Sequence, residues 1–143
     1  MNVAFFLVSK SETINLSPKN TMRQALEKME HHRYTAIPLI DNTGKYVGTI
    51  TEGDLLWKLK NTPGLCFENT EKVMLKDVSQ RIYNKPVKIT ASIEDLISLT
   101  VTQNFVPVID DSGIFIGIIR RSDIIGYFAK KHLESIEPTK TVE

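Results

Sequence analysis

The sequence predicts an α+β fold made of two β-α-β-β-α repeats packed by pseudo-two-fold symmetry. Three observations predict it. The stretch "YTAIPLIDNTGKYVGTITEGDLL" (34–56) returns as "NFVPVIDDSGIFIGIIRRSDII" (104–125), and Pro38/Pro107, Asp41/Asp110, Gly44/Gly113, Gly48/Gly117 and Asp54/Asp123 all keep one spacing of 69 positions, as in 107 − 38. Apolar periodicity changes in the same order in both copies. A chain of 143 residues with 41% apolar content has room for one core shared by two halves.

The opening "MNVAFFLVSK" carries an apolar run from Val3 to Val8 and is expected as a strand or packing segment. No basic residue precedes the run and no small-residue cleavage site follows it, so a secretory leader is not expected. In "TMRQALEKME", Thr21 and Gln24 stand at capping-box spacing, and Met22, Ala25, Leu26 and Met29 share one helical face. "SIEDLISLT" repeats the pattern from Ser92 and Asp95. Each helix leads into a short β-rich run, "TAIPLI" or "FVPVI", then a turn, "DNTG" or "DDSG", then a second strand, "KYVGTIT" or "IFIGIIR", so each pair reads as a hairpin. A closing helix begins near Glu52 in one copy and near Ser122 in the other.

The divisions follow: repeat 1 over 8–62, a linker over 63–80 with a short helix in "EKVMLKDV", repeat 2 over 81–133, and a frayed tail over 134–143 that lacks packing periodicity. Gly48 and Gly117 fall inside strands and predict close packing or a bulge.

Composition excludes several functions. Lys plus Arg (18) nearly cancels Asp plus Glu (17), so no overall field draws the chain to nucleic acid or to a membrane surface. No apolar run approaches the roughly 20 residues of a membrane-spanning helix. A single cysteine, Cys66, precludes an internal disulfide and points to a reducing cytoplasm. His31 and His32 diverge on a helix and His132 is distant, so no metal centre is expected. No base is placed beside Cys66 or a serine, and there is no Gly-rich phosphate loop with its Lys; the chain reads as non-catalytic, without a cofactor.

The repeated pattern, "PLIDNTGKYVGTITEGD" and "PVIDDSGIFIGIIRRSD", resembles the CBS domain, which usually occurs as a tandem pair called a Bateman module. The resemblance runs from about Val8 to Leu133. It implies two related clefts between the copies and an adenosine-containing ligand. It also implies a homodimer formed through helices, for which Leu55, Leu56, Trp57, Leu59, Ile124, Ile125, Tyr127 and Phe128 supply more apolar surface than one helix face can bury internally.

Carried over by position, the first cleft joins Tyr34, Thr35, Ala36 and Pro38 to Arg120, Arg121 and Asp123, with an early strand near Thr13 and Ile14 supplying backbone contacts. Arg120 stands where the motif expects Thr or Ser, and two guanidinium groups can grip phosphates by charge-assisted hydrogen bonds. Asp123 would accept from ribose hydroxyls. The second, weaker cleft joins Thr51 and Asp54 to Val87, Lys88, Gln103, Asn104 and Phe105, whose bulk replaces Ala36. Asp54 and Asp123 also suit plain helix capping, and Tyr34 suits a core position as well as a stacking platform.

The expected ligand is ADP, ATP or AMP, with cyclic di-AMP as the alternative, and the expected role is to signal to an unidentified regulated protein. The competing reading is a structural oligomerisation module with vestigial clefts.

Overall fold

The structure is a computed structural model that describes residues 2–136. Its main elements are β1 (Val8–Ser9), α1 (Met22–His32), β2 (Ala36–Ile40), β3 (Tyr46–Thr51), α2 (Glu52–Asn61), β4 (Val87–Lys88), α3 (Ile93–Thr100), β5 (Phe105–Ile109), β6 (Phe115–Arg120) and α4 (Arg121–Ile136).

Both predicted hairpins are present. β2 pairs antiparallel with β3 and β5 with β6, and each hairpin has a register irregularity at the same point, Leu39/Ile40 in one and Val108/Ile109 in the other. Both turns are built alike. Asp41 Oδ1 accepts from the amides of Thr43 and Lys45, and Asp110 Oδ1 accepts from those of Ser112 and Ile114. Gly44 and Gly113 supply the positive φ, 87° and 84°, that closes each turn. The predicted capping box of α1 forms: Thr21 Oγ1 accepts from Gln24 N while Gln24 Oε1 accepts from Thr21 N.

The first strand departs from expectation. Thr13 and Ile14 are not in a strand; in the place of that strand copy 1 has a parallel bridge between Leu16 and Leu39. Val8 and Ser9 pair instead with Ile118 and Gly117 of the second copy, giving a four-stranded sheet in the order β1-β6-β5-β4 beside the two-stranded β2-β3. Two-residue strands carry no periodicity, which is why the pairing is invisible in the sequence.

Crossing of segments extends to the cores. Val3 and Phe6, in a 3₁₀ turn over Val3–Phe6, are buried with Leu96, Val106, Val108 and Ile119 of the second copy. Leu75 and Val78 of the linker are buried with Met22, Ile37, Leu39 and Leu55 of the first. Each core is thus completed by the segment that precedes the other copy in the chain. A third cluster, Ile40, Tyr46 and Phe115, closes the seam between copies.

The linker helix expected in "EKVMLKDV" is two 3₁₀ turns, Phe67–Lys72 and Leu75–Asp77. α4 runs on through Ile136, so Glu134 to Ile136 are helical rather than frayed; the rest of that expected tail lies outside the described residues. Among the described residues, no helix is long and apolar enough to cross a membrane.

Candidate functional site

A cleft of about 260 Å³ opens between the copies. The start of β2 forms one wall with Tyr34, Thr35, Ala36 and Pro38, and the junction of β6 and α4 forms the other with Ile118, Arg120 and Ser122. Thr13 and Ile14 close one end beside Val8 and Glu12, and Asn104 and Phe105 at the start of β5 close the other. Of the residues expected for the first cleft, Thr13, Ile14, Tyr34, Thr35, Ala36, Pro38 and Arg120 therefore converge.

Arg121 and Asp123 do not line it. Arg120 is the last residue of β6 and Arg121 the first of α4, and the strand-to-helix junction between them sends the two residues to different clefts. Arg121 lines the other cleft. The carboxylate of Asp123 is engaged locally, with Oδ2 accepting from Arg120 Nε at 2.9 Å. Tyr34 is 44% exposed and its ring stacks on His32 at 5.6 Å between centroids, so it is neither core nor a bare platform.

The second cleft, about 320 Å³, contains Thr51 and Asn104 of the expected set, together with Glu52, Asn84, Thr102 and Arg121. Thr35 and Ala36 line it too, so the start of β2 is a partition between the clefts. The remaining expected residues lie elsewhere. Asp54 is only 2% exposed; its Oδ2 accepts from Thr51 N and its Oδ1 from Arg81 N, which commits both oxygens to backbone. Gln103 is buried and straps Lys85, accepting from its amide and donating to its carbonyl. Phe105 faces the first cleft. Val87 and Lys88 border a separate depression with Pro86 and Asp95, and Lys88 Nζ lies 3.6 Å from Asp111.

The two helix starts explain the asymmetry. At α2, Thr51 Oγ1 accepts from Asp54 N while Asp54 accepts from Thr51 N, a reciprocal box that satisfies two otherwise orphaned amides. At α4 the residue in the Thr51 position is Arg120, which has no acceptor, so Asp123 takes the guanidinium instead. The substitution places a cation on the wall of the first cleft.

Sequence reasoning missed Arg33, Glu12 and Ser122. Arg33 also lines the first cleft and caps α1 in the left-handed region, φ 58° and ψ 40°. A cation at a helix C-terminus also suits plain dipole compensation, so its position alone does not mark it as a cleft residue.

The CBS domain family profile matches residues 8–61 and 72–130, most of the chain. A CBS domain-containing protein of Dictyostelium discoideum is 33% identical over 141 residues, covering 92% of this chain and 94% of its own length. Among solved structures, CbpB of Listeria monocytogenes in complex with c-di-AMP superposes with a TM-score of 0.79 at 24% identity, covering 92% of this chain and 98% of that one. CBSX2 in complex with AMP superposes with a TM-score of 0.73 at 22% identity, covering 92% and 98%. The duplicated hairpins, the seam between copies and this match along both halves agree: the chain belongs to the CBS domain family, as a tandem pair forming one Bateman module.

Proposed function

We propose that the chain is a non-catalytic regulatory module that binds an adenine nucleotide in the first cleft and signals occupancy to a partner protein. The observation that carries the reading is a cleft whose opposite walls come from different copies, with small Ala36 leaving room for a base and Arg120 offering a guanidinium to phosphate. A ligand held by both copies biases their relative placement, and a surface that spans the seam can report it. Neighbours of the same fold are described in complex with c-di-AMP and with AMP, which supports a nucleotide of this class.

ADP, ATP or AMP remains the first choice. At about 260 Å³ the cleft lies just under the roughly 300 to 1,000 Å³ of small-molecule sites and suits one nucleoside with its phosphates toward the mouth. Cyclic di-AMP is the second reading, favoured by one observation: Asp123 is occupied by Arg120, which removes the carboxylate that would reward a free ribose diol.

The module acts as a homodimer in the cytoplasm. Leu56, Trp57, Ile125 and Phe128 of the expected dimer face are exposed, whereas Leu55 and Ile124 are in the cores. Thermal unfolding with and without nucleotide tests the reading, since a ligand at 100 times its dissociation constant adds about 2.7 kcal/mol. A midpoint unmoved by ATP, ADP, AMP and cyclic di-AMP would favour a structural module with vestigial clefts.

A further inference from the structure

The two clefts are related position by position. The amides of Glu52 and Arg121, first residues of α2 and α4, donate to the carbonyls of Thr35 and Asn104, so Thr35 and Asn104 are equivalent, as are Tyr34 and Gln103, whose amides return to Met29 and Leu99. Counting back, Arg33 corresponds to Thr102, and Arg120 corresponds to Thr51. Arg33 and Arg120 both line the first cleft; Thr51 and Thr102 both line the second. The chain therefore puts two guanidinium groups in one cleft where it puts two hydroxyls in the other.

The cations come from different copies. Arg33 ends α1 of the first and Arg120 ends β6 of the second. Arg120 is partly neutralised by Asp123, while Arg33 forms no ion pair among the described residues. Glu12 is the acidic residue on the same wall set, an acceptor suited to hydroxyl groups. The second cleft carries one cation, Arg121, and one anion, Glu52. Among the described residues Arg33 is also the non-glycine residue with positive φ, in a conformation that favours Gly or Asn. Strained backbone of this kind gathers at ligand clamps.

We infer that Arg33 is the specificity-determining residue of the first cleft: with Arg120 it forms a two-sided clamp for phosphoryl oxygens, one cation from each copy, so this cleft selects its ligand by phosphate and the second cleft does not. The inference rests on the proposed nucleotide reading and deepens it. Closing such a clamp draws the two copies together through the phosphate, which couples occupancy to their placement.

Calorimetry with ADP and with adenosine tests it on the full chain and two variants. Arg33→Asn keeps a residue that accepts the left-handed conformation and removes the charge. Arg120→Thr reproduces the residue of the second cleft, where threonine caps the helix. Wild type is expected to bind one ADP per chain. Each variant should bind ADP roughly 10- to 100-fold more weakly, the loss of one charge-assisted hydrogen bond, while adenosine affinity stays within about twofold. Unchanged ADP affinity in Arg33→Asn, equal losses for ADP and adenosine, or two equivalent ADP sites would each overturn the clamp and leave the nucleotide reading standing. No binding of either compound by wild type would overturn both.

Discussion

Arg120 Nε donates to Asp123 Oδ2 across 2.9 Å, while at the equivalent positions of the first copy Thr51 and Asp54 exchange backbone-to-side-chain hydrogen bonds. One repeat thus uses its Thr-x-x-Asp positions to cap a helix, and the other uses them to hold a cation at the mouth of a cleft.

The stability of the two repeats should respond in opposite ways. Thr51→Ala removes a helix cap and is expected to cost about 1 kcal/mol, and Asp54→Ala costs more because Arg81 N also loses its acceptor. Arg120→Thr should leave stability unchanged or raise it by up to about 1 kcal/mol, since Asp123 can then complete a box. Urea unfolding midpoints check the order; a destabilised Arg120→Thr contradicts it.

Gly117 and Gly48 test the crossing segments. A Cβ on Gly117 would run into the backbone carbonyl of Val8, and one on Gly48 would meet the side chain of Gln80, which can move. Gly117→Ala is expected to cost about 1 to 3 kcal/mol and to expose the N-terminal strand in hydrogen exchange, and Gly48→Ala to cost less. Equal protection of Val8 and Ser9 amides in both variants would sink the distinction.

The Asp41 turn gives a pH signature. The Thr43 hydroxyl, first, and the Lys45 amide hold its carboxyl below the usual value of 3.8. A depressed folded-state pKa contributes stability that is present above the unfolded value and lost as pH falls through the folded one. Carboxyl NMR titration should place the Asp41 midpoint under 3.8, and Thr43→Ala should raise it. A midpoint at or above 3.8 contradicts the turn geometry.

The exposed helical residues predict assembly. Light scattering at micromolar concentration should give twice the 16.2 kDa chain mass, and Leu56→Glu with Ile125→Glu should halve it. A monomer in the wild type contradicts the dimer.

Most of the fold was legible because duplication supplies its own control. A constant offset through Pro38/Pro107 and Gly48/Gly117 carried both hairpins, and the capping pair Thr21/Gln24 carried α1. Contacts that depend on three dimensions were not legible. Val8 pairs with Ile118 across the seam through a segment too short for any period. Motif position assigned Asp54, Asp123 and Phe105 to clefts, but it does not encode which hydrogen bond a carboxylate makes or which side of a strand meets the partner copy. Arg121 was assigned by adjacency to Arg120, whereas the change from β6 to α4 between them separates the two residues onto different clefts.

Nucleotide binding at the seam is tested most directly by titration calorimetry of ADP and ATP against the wild type and Arg120→Ala. Binding by the wild type that weakens roughly tenfold or more in the variant, at equal folded stability, is the expected result. Absence of heat and of any thermal shift with millimolar adenine nucleotide, or affinity indifferent to Arg120→Ala, would contradict a ligand held in this cleft.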